Sequence, residues 1–261
     1  PHVDTEKGVP MCLRGFRAGV ASLTLLGVMA LAPGAVAEVP FEFEANDRVV
    51  FLGATLLERE QTEGYLETLL TSRFADKKLT FRNLAWSGDT VFGDSRAAFD
   101  TAKEGFDRMV KQVHDAKPTV LMLSFGRNEA YGGETELAGF VAGYNLLLDA
   151  VADTEAALVF WGLPLLENLG YPLPDSTPQN QNVTLYNEAV RTLAAERGGR
   201  FIDTQAAIED TRHVAPLTEN NIHFTNYGHW IFAQATLLGL GYEVPRFMAH
   251  GLRTFEMASD V

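Results

Sequence analysis

Five stretches of this chain carry groups able to do chemistry. V-F-G-D-S-R (91 to 96) offers the hydroxyl of Ser95, and F-L-G-A-T-L-L-E-R (51 to 59) offers that of Thr55. N-L-A-W-S-G-D-T (83 to 90) holds Gly88, S-F-G-R-N-E (124 to 129) holds Asn128, and T-E-N-N-I-H-F-T (218 to 225) holds Asn220 and His223. A hydroxyl attacks a carbonyl when an adjacent base takes its proton. The oxyanion that forms needs N–H donors about 3 Å away. Either hydroxyl could serve, and position in the fold has to decide between them.

Other chemistries are poorly supplied. The histidines are scattered and no His/Asp/Glu cluster has ligand spacing, so no metal site is expected. Gly53, Gly88 and Gly126 are isolated, which excludes a phosphate loop, and no cofactor is expected. The single cysteine, Cys12, falls in a segment expected to be removed, so thiol and disulfide chemistry are out. The net charge of -13 and the lack of basic clusters argue against a nucleic-acid partner.

That segment is residues 11 to 37. Arg14 and Arg17 precede the apolar run from Ala18 to Ala32, and Ala35-Val36-Ala37 supplies a small-x-small cleavage site before Glu38. This is the pattern of a secretory signal peptide. The run of about 15 apolar residues is short for a transmembrane span, which needs roughly 20. Residues 1 to 10 are set aside, and 38 to 261 are expected to form one domain, exported to the periplasm or outside the cell and not inserted in the membrane after cleavage.

From Arg48 onward, strand candidates alternate with helical patterns. The strands are 49 to 52, 79 to 84, 119 to 124, 157 to 161 and 200 to 203; the helical spacing falls on 61 to 73, 101 to 115, 134 to 153, 183 to 197 and 227 to 238. Such alternation predicts right-handed crossovers and a parallel sheet covered on both faces, an α/β sandwich of three layers. Pro164 to Asn182 reads as a long surface loop. In this architecture the ligand crevice lies outside the carboxyl ends of the strands, where four of the five chemical stretches fall.

Together these four stretches resemble the blocks of the SGNH hydrolases, also called the GDSL family, in the family's order and at roughly its spacing, from about Arg48 to about Leu238. The resemblance implies the family's flavodoxin-like sheet of five parallel strands and hydrolysis of esters. It implies that Gly88 gives a backbone N–H and Asn128 a side-chain amide to an oxyanion hole, and that His223 is the general base. The family's nucleophile follows the first strand, and the matching position is Thr55. The literal G-D-S at Ser95 lies beyond Gly88 and reads as the turn into the next helix.

Two positions depart from the family pattern. Ala54-Thr55 stands for the usual Asp-Ser, and Asn220 for the usual Asp three residues before the histidine. The extra methyl of threonine restricts χ1 and crowds a tight elbow. Asn220 is expected to orient His223 through its amide oxygen but cannot offset an imidazolium charge; Glu219 is the candidate replacement carboxylate. His229 reads as a packed or capping residue of the last helix, Trp86 as a pocket wall or a packing residue, and Glu58 and Arg59 as a solvated pair or substrate contacts. Glu129 is expected near the oxyanion block, turned away from it. The expected substrate is an acylated, above all acetylated, carbohydrate or small molecule. A catalytically silent binding module on the same fold is the alternative, ahead of a phosphate-binding flavodoxin-like reading.

The leader makes a direct prediction. Mass spectrometry of protein exported by a bacterial host should find the mature chain beginning at or near Glu38.

Overall fold

The computed structural model describes residues 39–209 and 215–244, so the expected leader lies outside the described residues. Five strands, β1 (Arg48–Gly53), β2 (Thr80–Asn83), β3 (Val120–Ser124), β4 (Ala157–Trp161) and β5 (Arg200–Ile202), form one sheet in the order β2-β1-β3-β4-β5. Every pairing is parallel. Each strand lies close to its expected place.

The central strands β1 and β3 are buried from Val49 to Gly53 and from Val120 to Ser124, which is why both read as continuous apolar runs. Alternate side chains leave on opposite faces of the sheet. Val49, Phe51, Met122 and Trp161 join one core with helices α1 (Thr55–Glu63), α2 (Tyr65–Arg73), α7 (Thr204–Glu209) and α8 (Asn226–Gly239). Val50, Leu52, Leu121, Leu123 and Phe160 join the other, with α4 (Ala102–Ala116), α5 (Gly133–Ala150) and α6 (Thr177–Glu196). The short α3 (Asp94–Ala97) precedes α4, whose start is fixed by a capping box between Thr101 and Glu104.

Two local expectations are corrected. The helix expected over 61 to 73 is two helices, and the first begins as early as Thr55. Gly64, at φ 67°, breaks them in a left-handed conformation that glycine adopts without steric cost. The loop expected through Asn182 ends at Ser176; α6 starts at Thr177 with Pro178 in its first turn, where a missing N–H costs nothing. Polar side chains hid that helical turn.

Two contacts fix how the elements around the strand ends meet, one between strands and one between helices. Gly53 pairs with Ser124, and a Cβ at Gly53 would lie 2.5 Å from the Ser124 carbonyl oxygen, so only glycine permits this approach. On α8, His229 is buried and its Nδ1 lies 2.6 Å from Oε2 of buried Glu60 on α1. The other Glu60 oxygen accepts the Leu66 N–H at 2.6 Å, and Phe224 stands edge-on to the His229 ring. Packing is therefore part of what His229 does, as its position in the helix suggested.

Both contacts can be tested by urea unfolding. Gly53→Ala should destabilise the protein by about 1–3 kcal/mol through overpacking. Glu60→Ala should cost about 1–3 kcal/mol for each buried group it leaves without a partner, the His229 ring and the Leu66 N–H.

Candidate active site

The site is assembled at the carboxyl ends of β1 and β3, where the strand order reverses. Thr55 is the first residue of α1, directly after β1. Ala54, the residue that caps this helix, gives no side-chain hydrogen bond, so the Thr55 hydroxyl sits at an open helix N-terminus, where developing negative charge is favoured. The Gly88 N–H donates to Thr55 Oγ1 at 2.9 Å, and Ser87 Oγ lies 3.4 Å from the same oxygen.

Asn128 follows β3. Its Nδ2 donates to the Asp89 carbonyl at 2.7 Å, which joins the β3 loop to the loop carrying Gly88 and leaves its second amide hydrogen for another acceptor. That second loop is clamped from behind. Arg96, fully buried, donates through Nε to Asp89 Oδ2 at 2.6 Å and through Nη2 to the Leu84 carbonyl at 2.6 Å. Burial pushes the Asp89 carboxyl up, against the pull of Arg96. Glu129 is turned away from the oxyanion position: it accepts from the Val91 N–H at 2.9 Å and the Gly126 N–H at 3.0 Å, and burial raises its pKa.

A cavity of about 210 Å³ brings Thr55, Asn128 and His223 together, with Arg59, Arg127 and His229 also in its wall. Gly88 reaches the site through its bond to Thr55. Ser95 does not line this cavity; its N–H donates to Asp89 Oδ1 at 3.3 Å, within the clamp behind the loop. Trp86, 45% exposed, borders a neighbouring, more open cleft with Glu58, Gln61, Asn83, Ser87 and Gln112, and Arg96 approaches its ring at 5.7 Å. Arg59 thus faces the cavity and Glu58 the cleft.

The surroundings of His223 correct one expectation and leave another without support. Asn220 Oδ1 accepts from the backbone N–H of His223 at 2.9 Å and of Ile222 at 3.3 Å. Its oxygen is therefore committed to the backbone, and it is Nδ2 that faces His223 Nδ1, at 3.1 Å. An amide nitrogen can only donate, so Nδ1 must accept. In the neutral ring the proton then sits on Nε2, the tautomer that has no lone pair to take a hydroxyl proton there. Glu219 is exposed and bonds to this segment through its backbone N–H, which donates to the His223 carbonyl; its carboxylate makes no hydrogen bond to the imidazole. Burial and, next, the Arg59 guanidinium hold His223 below the usual imidazole range, with Glu219 opposing them. No hydrogen bond links His223 to Thr55.

Sequence reading missed several of these groups. Ser87 is a plain loop serine, Glu60 lies 169 residues from its partner His229, and Arg127 sits between Gly126 and Asn128, at the unspecified x of G-x-N-E. None carries a local signal; only the fold brings them to the site.

Comparison with known proteins gives the family and the fold. The GDSL-like lipase/acylhydrolase family matches residues 52–231. An acetylxylan esterase of Geobacillus stearothermophilus is 24% identical over 223 residues, 76% of this chain and 96% of that protein. Its solved structure superimposes with a TM-score of 0.58 at 19% identity, covering 77% of this chain and 96% of that one. An α/β hydrolase from the metagenome of Lake Arreo, Spain, gives a TM-score of 0.60 at 20% identity, covering 78% and 99%. Catalytic mutants of the Geobacillus esterase have also been solved, in which a serine, an aspartate or a histidine is replaced by alanine. With the family spanning the strand ends that carry Thr55, Gly88, Asn128 and His223, this chain belongs to the GDSL-like lipase/acylhydrolase family.

Proposed function

We propose that this protein is an exported ester hydrolase of low intrinsic turnover, acting on a short acyl ester of a carbohydrate or similar alcohol. The observation that carries this reading is the bond from the Gly88 N–H to Thr55 Oγ1 at the mouth of a cavity also lined by Asn128 and His223. In the proposed reaction Thr55 Oγ1 attacks the ester carbonyl and His223 takes the hydroxyl proton. The Gly88 N–H and the free Asn128 amide hydrogen receive the oxyanion. His223 then protonates the leaving alkoxide, and water releases the acyl group by the same steps in reverse. The acetyl-ester substrate of the Geobacillus relative, the small volume of the cavity and the exposed Trp86 ring next to Ser87, a surface suited to stacking on a sugar, support a small acyl group on a saccharide.

Low turnover follows from Thr55 and from Asn220. The threonine methyl restricts rotation of the nucleophile. The Asn220 amide favours the unproductive tautomer of His223, so a productive encounter requires the ring to change tautomer first. This second feature also favours the other reading, a binding module that retains the crevice without the chemistry.

Mutant kinetics on activated acetyl esters separate the two. Thr55→Ser should raise turnover about ten-fold, equal to about 1.4 kcal/mol of barrier. Asn220→Asp should raise it more, about a hundred-fold, because a carboxylate can accept Nδ1–H and turn the Nε2 lone pair toward the hydroxyl; the corresponding loss in a serine protease is about ten-thousand-fold. Thr55→Ala and His223→Ala should each remove activity, and the double variant should lose little more than either single. Ser95→Ala should retain it. Silence of the parent and of both gain-of-function variants, with an acylated saccharide still bound, would favour the binding module instead.

The pH profile is a further check. Since burial and Arg59 hold His223 low, the parent should lose activity on acidification only below the usual imidazole pKa of about 6.5. In Arg59→Gln one of the two depressing causes is gone, and the acid limb should move upward.

A further inference from the structure

The charge of the cavity is opposite to that of the chain. Asp and Glu outnumber Lys and Arg 34 to 21, yet the cavity is lined by Arg59, Arg127, His223 and His229 and by no carboxylate. His229 has its counter-group in Glu60, behind the wall. Arg127 has none. Its Nη2 donates to the Pro164 carbonyl, its Nη1 is buried without a partner, and among the described residues no acidic side chain forms an ion pair with it. Burial brings the guanidinium down to about 10, so it is still a cation at neutral pH. Buried donors are nearly always satisfied, and buried cations nearly always paired. In so acidic a chain, a missing counter-ion at this position is not for want of carboxylates.

Arg127 precedes Asn128 in the chain, and both line the cavity that holds Thr55. Arg59 lines the same cavity, also without an ion pair among the described residues, and its field reaches His223. About 210 Å³ suits a short chain and not a saccharide, whereas the neighbouring cleft with Trp86 is open. The acyl half of the ester therefore belongs in the cavity and the alcohol outside it.

Resting on the esterase reading, we propose that the acyl group ends in a carboxylate, held by Arg127 and Arg59: the substrate is a half-ester of a short dicarboxylic acid. A guanidinium fork matches a carboxylate with two parallel hydrogen bonds, and a turn of the Arg127 side chain toward the cavity would give buried Nη1 the partner it lacks. Thr55 Oγ1 bonds to the acyl carbon to give the tetrahedral oxyanion, whose collapse breaks the bond to the alcohol oxygen as His223 passes that oxygen the proton it took from the hydroxyl. Water then cleaves the acyl-threonine ester, giving the dicarboxylic acid and restoring the hydroxyl.

Three esters distinguish where the charge is read: phenyl acetate, phenyl hydrogen succinate, and an acetyl ester of glucuronic acid, whose charge is on the alcohol. The expected order of kcat/KM puts the succinate at least ten-fold above the acetate, and both Arg127→Gln and Arg59→Gln should shrink that ratio. In parallel, Thr55→Ala protein titrated calorimetrically with free succinate should bind it, and Arg127→Gln should weaken that binding by at least ten-fold. Arg59→Gln, on a part-buried position, keeps the test valid if Arg127→Gln does not fold. Acetate hydrolysis without preference for succinate, or preference for the glucuronate ester alone, overturns the proposal and leaves the esterase reading standing. Succinate binding with no turnover of any ester overturns the esterase reading and keeps the anion site. Failure to bind succinate together with no turnover overturns both.

Discussion

The contact between Gly53 and Ser124 is the constraint on which the site depends. Parallel pairing of β1 with β3 aligns the ends of the two strands, and the absence of a side chain at Gly53 lets the backbones close up. Thr55 and Asn128 then leave adjacent strand ends at the same level of the sheet. The loop after β2 is drawn to the same place by two bonds, from the Gly88 N–H to Thr55 and from Asn128 to the Asp89 carbonyl. Each bond is modest, but they share a rigid base. The Asp89–Arg96 pair and the Leu84 carbonyl hold that loop from the rear, so the donor at Gly88 is preorganised rather than recruited.

In the proposed reaction the site combines a well-placed oxyanion pocket with a weakened proton relay. In that reaction the Gly88 N–H, bonded to Thr55 Oγ1 in the resting site, is handed over to the oxyanion, and the free amide hydrogen of Asn128 joins it. Asn220 does its structural duty equally well, since its oxygen closes a turn on the Ile222 and His223 N–H groups. That same bond turns the amide nitrogen toward the imidazole. An aspartate has two acceptor oxygens and can cap the turn and receive Nδ1–H together; an asparagine has only one. The single change of side chain thus preserves the loop while altering the acid–base chemistry.

Much of the fold was legible in sequence because parallel strands buried on both faces leave unbroken apolar runs, and all five strands of the sheet lie close to where such runs predicted them. Helix ends were less legible. Ala54 offers no capping side chain, so nothing marks the start of α1, and the polar first turn of α6 resembles a loop. For the candidate site, the resemblance gathered Thr55, Gly88, Asn128 and His223, and the structure places them around one crevice. The direction of the Asn220 amide, the cation at Arg127 and the Glu60–His229 pair were not legible. The first is a rotamer, and the other two depend on partners that only tertiary folding supplies.

The Glu60–His229 pair also bears on when during folding the crevice exists. It joins helices whose partners are 169 residues apart, α1 at the first strand and α8 after the fifth. Contacts so distant in sequence close a long loop, and their ordering entropy is offset only when both helices are packed on the sheet. Until α8 docks, the chain presents Thr55, Gly88 and Asn128 without an imidazole beside them. Under the proposed reaction, a molecule in which α8 has not docked has the hydroxyl and the oxyanion donors but not the base, so the crevice is complete only when the first and last described helices meet.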